Sequence, residues 1–158
     1  MVKRTRLDGS ECPVARSVDA IGDWWSLLIV RDAFDGSRRF GEFQRSLGVA
    51  KNILSARLSA LVEAGIMESV PVSEASAYRE YVLTAKGERL FPVVVALRQW
   101  GEENFFAPGE AHSRLVDRRD GKELRPLEIR GADGRELTPA DTVVQKVGGL
   151  GSQEDPLR

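Results

Sequence analysis

Apolar residues recur along the first two thirds of the chain at helical spacing, interrupted by two short β-prone runs. Val14, Val18 and Ile21 share one face of a first helix that opens at Pro13, where a missing N–H is tolerated, and stops at Gly22. Asp23 is placed to cap a second helix. Its residues Trp24, Trp25, Leu27, Leu28, Ile29 and Val30 are apolar on nearly all sides, the pattern of a helix buried at the centre of a small domain. After a turn at Asp35-Gly36-Ser37, Arg38-Arg39-Phe40 predicts a short extended piece. Phe40, Phe43 and Leu47 then mark a brief helix ended by Gly48. From Ala50 to Ala64, Leu54, Leu58 and Leu61 line one stripe, Asn52, Ser55, Ala56 and Ser59 point the other way, and Gly65 closes the helix.

A brief helix, a glycine-containing turn and a second amphipathic helix with a small, polar outer face form the helix-turn-helix pattern. Two β-prone runs, Ile66 to Val70 and Tyr78 to Leu83, flank the polar loop Pro71 to Ala77 and predict a hairpin, the wing. Thr84 suits the N-cap of a long last helix carrying Leu90, Val93, Val94, Leu97, Trp100 and Phe105, which Pro92 is expected to kink by deleting a backbone bond. That apolar load exceeds what one small domain can cover, so a second copy of the chain is the expected cover.

Beyond Pro108-Gly109 the texture turns charged, and Asp120-Gly121 and Asp133-Gly134 flank an alternating run from Leu124 to Ile129, which reads as small β-hairpins. The heptad Asp120 to Pro126 recurs thirteen residues later as Asp133 to Pro139, with five of seven positions identical, implying two equivalent knuckles. Asp117, Asp120, Arg130 and Asp133 have the spacing of zinc-ribbon ligands but the wrong chemistry, because zinc favours thiolates and imidazoles. The expected extension is therefore metal-free, with Arg130 free to bridge an aspartate; unrelated Asp-Gly turns are the simpler alternative. The expected organisation is a flexible arm over 1–11, a winged domain over 12–106, a small β-rich extension over 107–147 and a disordered tail over 148–158. The fold class is mainly α with small β.

Composition narrows the function classes. With 158 residues, 42% of them hydrophobic and 30% charged, the chain suits one main domain with an appendage. No run approaches the roughly 20 apolar residues of a membrane span, and Met1 to Arg6 lacks the apolar stretch of a secretory signal, so a cytoplasmic location is expected. Lys and Arg number 23 against 24 Asp and Glu, but Arg31 to Arg57 holds six cations and three anions, a local excess suited to phosphates. The sole histidine, His112, lies in a polar linker, and no nucleophilic triad or phosphate loop is visible. An enzyme is not expected, and no cofactor is.

Several ordered fragments resemble the HxlR-type winged-helix regulators related to the MarR group, over roughly residues 12–106. They are Cys12-Pro13, Gly22-Asp23-Trp24 with Leu27-Leu28-Ile29, and Arg38 to Phe43; then Leu54 to Leu58 with Leu61, and Ala64-Gly65-Ile66; then Tyr81 to Thr84 with Gly87, and Leu97 with Trp100-Gly101. The resemblance implies a DNA-binding homodimer whose first and last helices pair through Val14, Val18, Leu90, Leu97, Trp100 and Phe105. Two recognition helices would enter successive major grooves roughly 34 Å apart on double-stranded DNA. A winged-helix module that binds protein instead of DNA is the alternative.

Asn52, Ser55, Ala56 and Ser59 then become base-facing candidates, since Asn can pair with adenine and small neighbours allow close approach. An ordinary solvated face is the competing reading. Lys51 and Arg57 suit phosphate oxygens, Arg38 and Arg39 suit the same role or an edge salt bridge, and Arg79 is the first cation of the wing. Cys12 precedes a helix start, where a thiolate is stabilised; redox switching and a small side chain at the dimer seam are both open. A small effector could border Trp24, Trp25 and the last helix.

Overall fold

Pro13 opens α1 (Pro13–Ile21), and Asp23 opens α2 (Trp24–Phe34) by accepting the Ser26 N–H at 2.9 Å. The structure is a computed structural model and describes residues 6–147; the first five residues of the expected arm and the expected tail from 148 lie outside the described residues. α3 (Phe40–Leu47) terminates on Gly48, whose φ of 62° is left-handed, and α4 (Lys51–Glu63) follows at once. Leu54, Leu58 and Leu61 of α4 are at most 1% exposed and pack with Ile29 and Val30 of α2 and Phe43 of α3. This shared core orients α4 and leaves its opposite face outward.

β1 (Met67–Pro71) and β2 (Arg79–Leu83) form an antiparallel hairpin in which Met67 pairs with Leu83 and Ser69 with Tyr81. The Tyr81 N–H donates to the Arg38 carbonyl at 2.7 Å, tying the extended piece before α3 to the hairpin edge.

The last helix differs from expectation. Thr84 caps a short α5 (Ala85–Glu88), and α6 (Phe91–Phe105) is separate. Pro92 kinks nothing: without an N–H it cannot bond the Glu88 carbonyl, so the break falls before it and Pro92 sits in the first turn of α6, where no donor is needed. The second helix differs too, for Ile29 and Val30 are fully buried but Trp24, at its first position, is 81% exposed. On the predicted pairing face, Leu90 packs against its own core, whereas Val14, Val18, Leu97, Trp100 and Phe105 are open; Trp100 and Phe105 meet edge to face at 5.1 Å.

The chain divides into two units, the second beginning at Phe106. Turns, not sheets, organise that unit among the described residues: single bridges join Val116 to Glu123 and Arg130 to Glu136 where hairpins were expected, and a 3-10 turn spans Pro139–Asp141. The repeated Asp-Gly turns place Gly121 and Gly134 at φ 70° and 81°, where a side chain is disfavoured. Asp117, Asp120 and Asp133 each accept the N–H two residues on, at 2.7, 3.0 and 3.0 Å, which fixes their carboxylates on their own turns. Arg130 consequently bridges none of them; it bonds Glu128 and the Gly134 carbonyl.

Candidate nucleic-acid interface

The outer face of α4 carries Asn52, Ser55, Ala56 and Ser59, all exposed, one helix diameter away from the buried leucines. Their side chains make no hydrogen bond within the described residues. Three of the four are small, so a grooved surface can approach the backbone closely, and Asn52 adds an amide with both donor and acceptor. Lys51, at the first position of α4, is exposed and has no partner among the described residues.

The other predicted cations are engaged. Arg57 sits on the flank of α4, with its Nε buried 3.5 Å from Asp23 Oδ1, which ties α4 to the start of α2 while its side chain stays 36% exposed. Arg38 and Arg39 share one carboxylate, Glu80 of β2, at 3.8 and 3.4 Å; the two arginine side chains are 63% and 61% exposed and that of Glu80 18%. The edge salt bridge is thus present, and both arginine side chains stay largely open to solvent despite it. Arg79 lies along the hairpin, donating to Ser69 Oγ at 2.7 Å and to the Ser69 carbonyl at 2.6 Å.

Two carboxylates escaped the sequence reading. Glu42 accepts the backbone N–H of Arg38 at 2.8 Å and of Arg39 at 2.9 Å, and these bonds hold its carboxyl below the ordinary range. Its position three residues after the N-cap was half of a legible signal, the glutamate that reaches back to the N-cap N–H, although Arg39 has no side-chain acceptor to complete a capping box. Glu80 had none, because it meets Arg39 across 41 residues of chain.

Cys12 is an exposed free thiol at the N-cap of α1, and its own N–H donates to Ser10 Oγ at 3.1 Å. His112 belongs to the second unit and lies against the Phe106 ring at 4.8 Å, far in sequence from these groups.

Comparison with known proteins agrees with this fold. The HxlR-like helix-turn-helix family matches residues 20–108. An HTH-type transcriptional regulator of Mycobacterium tuberculosis is 40% identical over 125 residues, 79% of each chain. The crystal structure of PA1607, described as a candidate transcription factor, superposes with a TM-score of 0.85 at 56% identity, covering 89% of this chain and 98% of that one. The redox regulator HypR in its reduced form superposes with a TM-score of 0.55 at 32% identity, covering 59% of this chain and 93% of its own. With a helix-turn-helix core and a wing already formed by these residues, and a family match over more than half of its length, this chain belongs to the HxlR-like helix-turn-helix family.

Proposed function

We propose that the chain is a homodimeric transcriptional regulator whose two α4 helices enter successive major grooves of a near-palindromic operator. The observation that carries the reading is the unpartnered ridge Asn52, Ser55, Ala56 and Ser59 above a fully buried leucine stripe. Those four residues face base edges, while Lys51, Arg38, Arg39 and Arg79 meet phosphates. Names of relatives such as the mycobacterial HTH-type regulator support this reading over a protein-binding module. The family is one of transcription regulators, and the chain acts without catalysis, in the cytoplasm where its DNA lies. Among the described residues no helix is long and apolar enough to cross a membrane.

Val14, Val18, Leu97, Trp100 and Phe105 supply the dimer seam, since an open apolar set of this size calls for a partner. A cleft of about 230 Å³ between α2 and α6, with Leu27, Leu28, Val94 and Leu97 as floor and Arg31 and Arg98 at its edge, suits a small effector. Selection of bound duplexes from a random pool, followed by titration at rising salt, tests the main reading. The expected result is a near-palindrome with half-sites about 10 base pairs apart and an affinity whose logarithm falls with log salt by about 0.9 per phosphate contacted. A pool that yields no enriched duplex, with binding indifferent to salt, would leave the protein-binding module.

A second reading concerns control. The Cys12 thiol is exposed and free, and HypR, with which the fold superposes, is named a redox regulator. Oxidation of Cys12 lowers operator affinity in this reading. An oxidant effect that persists in Cys12→Ser would dismiss it.

A further inference from the structure

The wing loop poses a problem for DNA binding, since Pro71 to Ala77 holds an acid, Glu74, and no cation. The tertiary structure supplies the missing charge from another segment. A cleft of about 320 Å³ opens between the wing and the start of α3, lined by Arg39, Phe40 and Gly41 on one side and Val72, Tyr78 and Arg79 on the other. We propose that this cleft seats one phosphate of the DNA backbone together with its sugar; the inference rests on the DNA-binding reading of α4.

Hydrogen-bonding capacity in the cleft is unspent. Arg39 engages Glu80 through Nε alone, at 3.4 Å, which leaves both of its terminal nitrogens available. Arg79 uses Nε and one terminal nitrogen on Ser69, leaving the other. The Tyr78 side chain is 82% exposed, and its hydroxyl has no partner among the described residues. Arg79 is held by its two bonds to Ser69, so little of its side-chain freedom is lost when an anion arrives. The Arg39 fork and the remaining terminal nitrogen of Arg79 can both give a phosphate charge-assisted bonds.

The remaining walls explain why the occupant is more than a bare anion. Phe40, Val72 and the Tyr78 ring offer apolar surface of a kind a free phosphate would leave unused but a deoxyribose would cover. Beyond its chain neighbours and its own helix backbone, nothing among the described residues lies within 4 Å of the side-chain position that Gly41 leaves empty, so a backbone can enter closely there. Glu80 and Glu42 together offset Arg38 and Arg39, and Arg79, whose bonds go to the neutral Ser69, carries the positive charge left over. Exposed ion pairs of this length contribute little on their own, and a phosphate can compete with them.

The test replaces each phosphate of the selected duplex in turn by an uncharged methylphosphonate and measures affinity for the full-length chain. Wild type is compared with Arg39→Gln/Arg79→Gln, Tyr78→Ala and Lys51→Ala, each first shown to melt with wild type. The expected result is one phosphate per half-site whose neutralisation weakens wild type and Lys51→Ala but not the arginine double variant. That variant's salt slope falls by about 0.9 for each cleft phosphate no longer held. Tyr78→Ala keeps the slope and loses affinity, because it removes sugar contact and not charge. The proposal is overturned if the double variant keeps wild-type affinity and wild-type sensitivity at every phosphate. Wild-type protein that binds no duplex at all would instead overturn the DNA-binding reading beneath it.

Discussion

Gly87 provides a sharp test of how the wing is joined to the helices behind it. The residue is buried in α5 with ordinary helical geometry, and a Cβ built on it would stand 2.1 Å from the Ile66 carbonyl oxygen and 3.0 Å from Leu83 Cδ2. Ile66 cannot simply retreat, because its carbonyl accepts the Thr84 N–H at 3.0 Å and the Thr84 hydroxyl at 3.2 Å. In an open helix, Gly→Ala stabilises by roughly 1 kcal/mol. Here the methyl must push backbone apart, and overpacking of that kind costs about 1–3 kcal/mol, with so short an approach at the upper end. Subtracting the propensity gain leaves Gly87→Ala destabilised by about 2 kcal/mol, a fall in Tm of about 8–16 °C for a unit of about 100 residues. Gly41→Ala is the control, since beyond its own helix backbone and chain neighbours nothing among the described residues lies within 4 Å of the added methyl, and its Tm should hold or rise. Circular-dichroism melts at one fixed protein concentration read both, which keeps dimer formation from confounding the comparison. A Gly87→Ala protein that melts with wild type or above it refutes the close-packing argument.

Other perturbations probe the remaining links. Glu42 has its carboxyl pKa lowered chiefly by the Arg38 N–H and then by that of Arg39, so its stabilisation is complete above the unfolded value near 4.5 and is lost as pH falls through the lower folded value. Melts of wild type and Glu42→Gln should converge under acid, and a gap constant down to pH 2 would contradict this. Asp32 has a side chain only 4% exposed, held by Arg31 at 2.7 and 2.9 Å, with Oδ2 buried and unpartnered. Arg31→Ala should cost about 2 kcal/mol in urea unfolding, less than a fully buried pair because Arg31 is 36% exposed, and Asp32→Asn should recover part of it. Leu97→Glu with Trp100→Glu should convert a dimer to a monomer in sedimentation; an unchanged mass would move the seam elsewhere. Asn52→Ala should lose about 1–3 kcal/mol of discrimination at one base pair, whereas Lys51→Ala should weaken all duplexes alike, as competition binding would show.

Much of the first unit was legible because its signals act over a few residues. Pro13, the Asp23 cap, Gly48 and the three-and-four spacing of Leu54, Leu58 and Leu61 each settle a local conformation, and the structure starts, stops and faces those helices accordingly. The same range of signal misled at Pro92, where a kink and a fresh start read alike until the turn at Arg89 and Leu90 is seen. Trp24 misled too, for an apolar residue beside a core helix is buried only if another element arrives to cover it.

What the chain order by itself determined was the helix-turn-helix, the hairpin and the outward ridge, through capping, periodicity and turn chemistry. Tertiary structure decided which carboxylate each cation meets, Asp23 for Arg57 and Glu80 for Arg38 and Arg39, and how close the Ile66 carbonyl comes to Gly87. The physical reason is that local conformation depends on neighbours along the chain. Pairing between side chains depends on which elements share a core, and no spacing rule carries that across 41 residues.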